Sequence, residues 1–409
     1  MNFRFLSENS AFSRFLTARV FFTLAFNMLG TLVSWWVYEI SKNPLDLGLI
    51  GLAEIVPFTG ILLFGGAWSD VFNRKMLMTL SVLAYFFIVT AMVVLVQLHR
   101  QLETSVLLSA IYGLIFCTGL ARGVLSPSQN ALLGQLVSRE KVALASVWNS
   151  IVFHIGSVGG PALGGLAYAY LGIHFAFSMV LGLIGFSLIF LVLLPRVARP
   201  GLAGNTESIF GRIGSGIRFV REHRILLPAM TMDMVAVLFG GLVAILPLFA
   251  DQILNAGPQG LGWLRAAPAI GSLMIAMFIS RFPLGENAGK ILLVCVFCFG
   301  LTNLGFAFSR NFSLSFFLLV LGGAFDNVSA IIRMSVVQIF TPDEMKGRVS
   351  AVNSIFIGSS NELGAFESGL AARWMGLIPS VVFGAGITFV TVAITAVRAK
   401  SLRNLNMNP

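Results

Sequence analysis

Charge is what this chain has least of. Only 11% of its 409 residues are Asp, Glu, Lys or Arg, less than half of the roughly 25% typical of a soluble domain. That excludes an ordinary water-soluble fold. Cysteine is scarcer still. Cys117, Cys295 and Cys298 all fall in apolar stretches, so there is no disulfide framework. The C-x-x-C of Cys295 and Cys298 has no second ligand pair, and the three thiols read as small packing residues rather than metal or redox groups. No glycine-rich phosphate loop of the Walker A type and no nucleophilic serine elbow is present, which argues against an ATP-driven machine and against a hydrolase. The chain is not expected to be an enzyme, to hold a metal or to need a cofactor.

What the chain does have is long apolar runs. Hydrophobic residues make up 57% of it, in continuous stretches of about 20 residues, the length that crosses a bilayer as a helix. A spanning barrel would show short alternating segments instead. Twelve spans are predicted, at about 16–38, 46–68, 76–97, 106–134, 142–168, 173–194, 225–250, 260–281, 289–308, 313–340, 346–370 and 376–398. The first is preceded by early arginines, but its apolar run is too long for a signal peptide and it is read as retained.

The net charge of +10 is explained by topology rather than by nucleic acid, for which no partnership is expected. Of the 27 basic residues, 20 fall on the side of the termini, among them Arg14, Arg19, Arg74, Lys75, Lys141, Lys346 and Arg403. Four fall on the other side: Lys42, Arg100, Arg310 and Arg373. By the positive-inside rule both termini are cytoplasmic. Arg122, Arg265 and Arg333 lie inside spans.

The one long internal linker, 195–224, divides the chain into a six-helix bundle over 1–194 and a second over 225–409. Its latter part, "IFGRIGSGIRFVREH", has apolar residues at helical spacing with arginines between, which predicts an amphipathic helix on the cytoplasmic leaflet. The halves repeat each other. "SREKVALASVWNS" (138–150) aligns with "PDEMKGRVSAVNS" (342–354) at an offset of 204, and so do Gly160 with Gly364 and "GLA" 165–167 with 369–371. "PLDLGL" (44–49) resembles "PQGLGW" (258–263) at an offset of 214. Parallel repeats of this kind place a substrate site at their interface near the midplane.

Two motifs carry a resemblance. "GGAWSDVFNRK" follows the second span, with Gly66, Asp70, Arg74 and Lys75 at the positions of a G-x-L-A-D-R-x-G-R-K loop; Trp68, Ser69, Val71 and Asn73 depart from it. "GSVGGPALGG" in the fifth span fits G-x-x-x-G-P-x-x-G-G through Gly156, Gly160, Pro161, Gly164 and Gly165. Together with twelve spans in two halves, these resemble the major facilitator superfamily. "GLARGVLSPSQNALLGQLVSREKVALAS" and "TPDEMKGRVSAVNS" look like its enterobactin-exporter and macrolide-efflux branch. The fold class implied is an all-α membrane protein of twelve transmembrane helices in two pseudo-symmetric six-helix bundles.

The resemblance implies roles. Asp70 would act with Arg74, Lys75 and Gly66 as a gating latch on the cytoplasmic side. A carboxylate at that place can also cap a nearby helix N-terminus and pair with a base. The corresponding loop "RFPLGENAGK" lacks the acid, so any latch is one-sided. The glycine motif resembles the signature of proton-exchanging exporters, and by its own chemistry lets another helix come close, with Pro161 bending the span.

Ionisable groups inside spans are expensive and mark function. Arg122, Asp233, Asp326 and Arg333 belong to spans 4, 7 and 10, which line the cavity in the family. Arg122 and Asp326 are related by the offset of 204 and could face each other across it. Asp326 and Arg333, seven apart on one helix face, form the alternative pair. Glu54 lies about 24 Å from Asp70 along its helix, toward the external half. Glu362, Glu367 and His154 are further buried candidates. Asp251 and Glu39 read as solvated external groups.

The function expected is a secondary active exporter of a small to medium organic molecule, siderophore- or drug-like, working by proton antiport with alternating access. Its partners would be that substrate, protons and membrane lipid, and it would act as a monomer in a bacterial inner membrane. An importer or metal-ion exporter of the same fold, or a non-transporting membrane sensor or scaffold, is the alternative.

Overall fold

The computed structural model describes residues 5, 9–195, 197, 209–279 and 286–407; of the residues inside its helices and turns, the side chains of 63, 67, 70, 139, 209, 210, 212, 213, 343 and 351 are outside the description. Among these residues every regular element is a helix. In order they are α1 Ser10–Ser41, α2 Pro44–Val71, α3 Arg74–Leu98, α4 Thr104–Leu136, α5 Val142–Val192, α6 Ile209–Glu222, α7 Leu226–Gly240 and the short α8 Leu246–Leu248. There follow α9 Gly257–Ile279, α10 Ala288–Phe308, α11 Phe312–Phe340, α12 Lys346–Met375, α13 Leu377–Arg398 and α14 Lys400–Arg403. Helices are the outcome because a backbone in hydrocarbon must bond to itself.

Nine of the described helices are long and apolar enough to cross a membrane. One of them, α5, is two spans in one: its backbone leaves the helical region at Gly172 (φ 78°, ψ 169°). α12 is long enough for a span, at 30 residues, but its Lys346, Arg348, Glu362, Glu367 and Arg373 dilute its hydropathy. The seventh predicted span is interrupted, since α7 stops at Gly240 and a single π-helical turn, Phe249–Ile253, follows α8. With these three adjustments the helix order accommodates twelve spans.

The chain forms two compact units. Unit 1 is residues 1–41, 53–205 and 257–266; unit 2 is 42–52, 206–256 and 267–409. Two short segments therefore pack with the unit built mainly from the other half of the sequence.

Within each unit the internal duplication is repeated contact for contact. In unit 1 a Cβ placed on Gly165 would lie 2.5 Å from the Pro258 carbonyl oxygen and 2.8 Å from Gly262 Cα. In unit 2 one on Gly369 would lie 2.6 Å from the Pro44 oxygen and 2.8 Å from Gly48 Cα. These are the sequence partners at offsets of 204 and 214, and only glycine permits backbones this close. Gly376 (φ 90°, ψ 165°) between α12 and α13 likewise repeats Gly172, again 204 residues on.

The amphipathic stretch is helical over Ile209–Glu222 and turns by 101° into α7. Its apolar side packs on α12: Val220 is buried in a cluster with Val349 and Val352, and Ser215 accepts a hydrogen bond from Arg348 at 3.1 Å. His223 occupies the bend. Its Nδ1 accepts from the backbone N–H groups of Ile225 and Leu226, both at 3.2 Å, which caps the start of α7. Burial lowers its pKa from the ordinary histidine value.

Candidate functional site

The candidate site of unit 1 is set by two glycines. Gly119 and Gly123 of α4 leave no side chain where a Cβ would collide with Pro57 and Ile61 of α2. The two backbones therefore run close, and Glu54 and Phe58, four apart on one face of α2, sit beside α4. Arg122, between the glycines, makes an ion pair with Glu54 at 2.5 Å. Its guanidinium lies over the Phe58 ring at 4.9 Å and over the Phe26 ring of α1 at 5.3 Å. The side chains keep 30% and 16% of their surface exposed, so this is a partly exposed cation held against two aromatic faces.

The corresponding charges of unit 2 are shut in. Arg333 of α11 forms an ion pair with Asp233 of α7, each side chain only 7% exposed. Ser329, one turn earlier on α11, donates to the other Asp233 oxygen at 3.2 Å. Met230, Met232, Ala236, Val328 and Ile332 pack around them. Among the described residues the Arg333 Nε has no hydrogen-bond partner.

Within unit 1 Arg122 pairs with Glu54, and within unit 2 Arg333 pairs with Asp233 rather than with Asp326, its expected partner on the same helix. In unit 1 the glycine-mediated approach of α2 to α4 brings Glu54 to Arg122. Asp326, half-buried on α11 about 10 Å from Arg333 along the axis, has no ion pair among the described residues. Neighbouring Asn327 donates to the Ser272 carbonyl of α9 at 2.6 Å. Glu39 and Asp251 are not simply solvated either: Tyr168 donates to Glu39, and Lys42 lies 3.5 Å from Asp251.

At the proposed latch, the Asp70 side chain lies outside the described residues, as does the loop 280–285. The two bases bind helix ends. Arg74 donates to the Ser69 and Ala131 carbonyls at 3.0 and 3.2 Å. Lys75 donates to Val192 and Leu194 at 3.2 and 2.5 Å. The terminal carbonyls of a helix are its negative end, so cations there are favourable. Asn73 caps α3 by accepting from Met76 N–H at 3.2 Å. Gly66 packs against nothing within 4 Å of a Cβ position.

The glycine motif of α5 lies chiefly along α1. Side chains at Gly156 and Gly160 would collide with Thr23 and Asn27, and one at Gly164 would press on Met28 at 3.2 Å, while Gly165 meets the 257–266 segment described above. Pro161 is buried in the same helix.

Two polar side chains escaped the sequence reading. Arg19, taken as an anchor near the helix end, is buried and donates to Asn149 of α5; with its amide turned, Gln129 of α4 accepts from it as well. The signal available was Asn149 itself, inside the repeated block. Arg265 donates to the Gly30 carbonyl at 3.0 Å and to Ser34 Oγ at 2.6 Å of α1, fixing the 257–266 segment in unit 1. Among the described residues no three His, Cys, Asp or Glu side chains converge as a metal site would require.

Helices long enough to span, an internal duplication expressed in both sequence and contacts, and charges paired inside the spans define a polytopic membrane transport protein. Residues 7–408 match the family described as transmembrane secretion effector, and the chain belongs to the major facilitator superfamily.

Among its relatives, the multidrug efflux pump Tap of Mycolicibacterium fortuitum is 25% identical, with 91% of each chain covered. The enterobactin exporter EntS of Shigella flexneri is 24% identical over 100% of this chain and 96% of that one. YfiS of Bacillus subtilis, an uncharacterised transporter of the same type, is 26% identical over 83% of this chain and 81% of its own. In fold, the chain is similar to a bacterial homologue of the iron transporter ferroportin (TM-score 0.72, 17% identity, covering 97% and 99%). It is also similar to a POT family transporter solved with 5-aminolevulinic acid (TM-score 0.76, 10% identity, covering 96% and 97%). The chain is a transporter and not an enzyme.

Proposed function

We propose that this transporter is a proton-coupled exporter of small to medium amphipathic organic molecules, of siderophore or drug-like character, working by alternating access. The observation that carries the reading is the Arg122 site. A partly exposed guanidinium on two phenyl faces suits a molecule that offers an aromatic surface and an acidic or hydroxylated group. The export activity named for EntS and Tap supports the direction. The protein acts as a monomer in the bacterial inner membrane with both termini cytoplasmic, in keeping with its basic residues.

Asp326 is the acid proposed to carry the proton. Among the described residues, unlike Asp233 and Glu54, it forms no ion pair with an arginine, so a proton can come and go without breaking one. Asp70, with Arg74 and Lys75, is proposed as the latch of the cytoplasmic side, and the α5 glycines as the seam that lets helices shift. The test is efflux from proteoliposomes holding the full chain. A fluorescent amphipathic substrate should leave against its gradient when a proton gradient is imposed, and efflux should stop with an uncoupler and ignore ATP. Efflux that survives the uncoupler overturns proton coupling. Asp70→Asn should slow transport without loss of folded protein, and full-rate efflux by that variant removes the latch.

A further inference from the structure

We propose that the outer surface of α3 and α4 seats one acyl chain of an anionic glycerophospholipid, whose phosphate is held by Arg100. A cavity of about 470 Å³ opens between the two helices, lined by Ala91, Val94 and Leu98 of α3 and by Ala110, Gly113 and Cys117 of α4. The lining is apolar, and Val94, Leu98 and Cys117 are exposed. Small residues make the hollow. A Cβ at Gly113 would meet nothing within 4 Å, so the glycine is not there to admit a neighbouring helix. The lining runs from Ala91 to Leu98 on α3 and from Ala110 to Cys117 on α4, about 10 Å along each helix, within the roughly 15 Å of hydrocarbon in one leaflet. That length seats part of a single acyl chain.

The head of the groove supplies the charge. Leu98 ends α3, and Arg100 follows two residues later in the turn, so its Cα lies within about 8 Å of the lining. This side of the molecule carries few bases, so a base placed there runs against the charge distribution of the chain. Arg100 is exposed and forms no ion pair among the described residues, although Glu103 is only three positions away. The adjacent His99 is turned inward: its Nδ1 lies 2.6 Å from the Val96 carbonyl oxygen. An exposed guanidinium above an apolar slot complements a phosphodiester above an acyl chain, and the guanidinium fork matches phosphate oxygens.

The test uses the purified full chain in detergent, titrated with phosphatidylglycerol or phosphatidylcholine and read by native mass spectrometry. Wild type should retain phosphatidylglycerol about fivefold more strongly, the ratio equivalent to about 1 kcal/mol for one basic residue at an anionic surface. Arg100→Gln should abolish that preference, and Gly113→Leu should weaken retention of both lipids by filling the slot. A second readout is the rate of Cys117 alkylation in a Cys295→Ala, Cys298→Ala background. Phosphatidylglycerol should slow it, and should do so far less once Arg100→Gln or Gly113→Leu is added. Equal retention of the two lipids by wild type, or unchanged preference in Arg100→Gln, overturns the proposal. So does a dimer abolished by Gly113→Leu, which assigns the groove to a second copy.

Discussion

The two ion pairs invite comparison. Arg122–Glu54 and Arg333–Asp233 each join an arginine to an acid of a neighbouring helix inside one unit, yet the first is partly open and rests on phenyl rings, while the second is sealed among methionines and branched aliphatics. Sealed pairs are held by the absence of water: neither member can lose its partner without leaving a bare charge in an apolar core. An open pair can exchange a partner for a ligand at modest cost. One unit thus keeps a partly exposed pair, and the other uses the same residue types to fix α7 against α11.

Breaking the sealed pair should have the largest effect. Arg333→Ala should destabilise the protein by about 3–5 kcal/mol, seen as a sharp loss of monodisperse protein on heating. Replacing both members, Arg333→Met with Asp233→Leu, should recover most of that loss. Arg122→Ala should cost less stability than Arg333→Ala, since its pair is partly exposed, but should abolish efflux. If the two alanine variants lose equal stability, the contrast between the pairs is wrong.

Next is Asp326→Asn. Gradient-driven efflux should fall to background while substrate exchange without a gradient persists, because an amide binds like the protonated acid but cannot release a proton. Asp233→Asn should instead lose folded protein through its bare arginine. If Asp326→Asn retains gradient-driven efflux, the proton site lies elsewhere, and Glu54 comes first.

Smaller still is Phe58→Leu, which removes one of the two rings under Arg122. An apparent affinity weaker by about two- to fivefold is expected from a cation–π contribution of about 0.5–1 kcal/mol, at unchanged stability. Phe26→Leu should match it; an effect from only one ring would assign the substrate to that face.

The smallest expected effect is a pH dependence at the α6–α7 bend. His223 accepts two backbone N–H groups only when Nδ1 is unprotonated, and burial lowers its pKa. A lowered folded-state pKa means the unfolded chain binds the proton more readily, so this contribution is complete above the unfolded value of about 6.5 and is lost as pH falls through the lower folded value. His223→Ala should therefore flatten the acid side of a stability–pH curve measured by thermal melting. A curve identical to wild type removes the cap.

Much of this was legible in the sequence because lipid leaves few choices. Span positions, the duplication and the linker helix follow from runs, offsets and spacing. The choice of partners was not legible. Arg122 finds Glu54 because Gly119 and Gly123 admit α2, and a glycine pair in a span says that something comes close without saying what. The interruption of the seventh span after Gly240 and the burial of Arg19 depend likewise on neighbours far away in the chain. Asn149 did stand in the repeated block, and a repeated polar residue at the edge of a span was the hint that Arg19 had company.

Gly172 and Gly376 bear on how the protein is made. At each, a single residue in a backbone region that is essentially closed to other amino acids is all that joins two spans. No hydrophilic loop separates α12 from α13 or divides α5, so a nascent chain has nothing there to pull across the bilayer on its own. Each pair must enter as one helical hairpin, turned before it is inserted, and a side chain at either glycine would raise the cost of that turn at the moment of synthesis. The expected trace of Gly172→Val is a defect in yield rather than in turnover: fewer molecules reach the membrane, and those that do carry substrate at the ordinary rate.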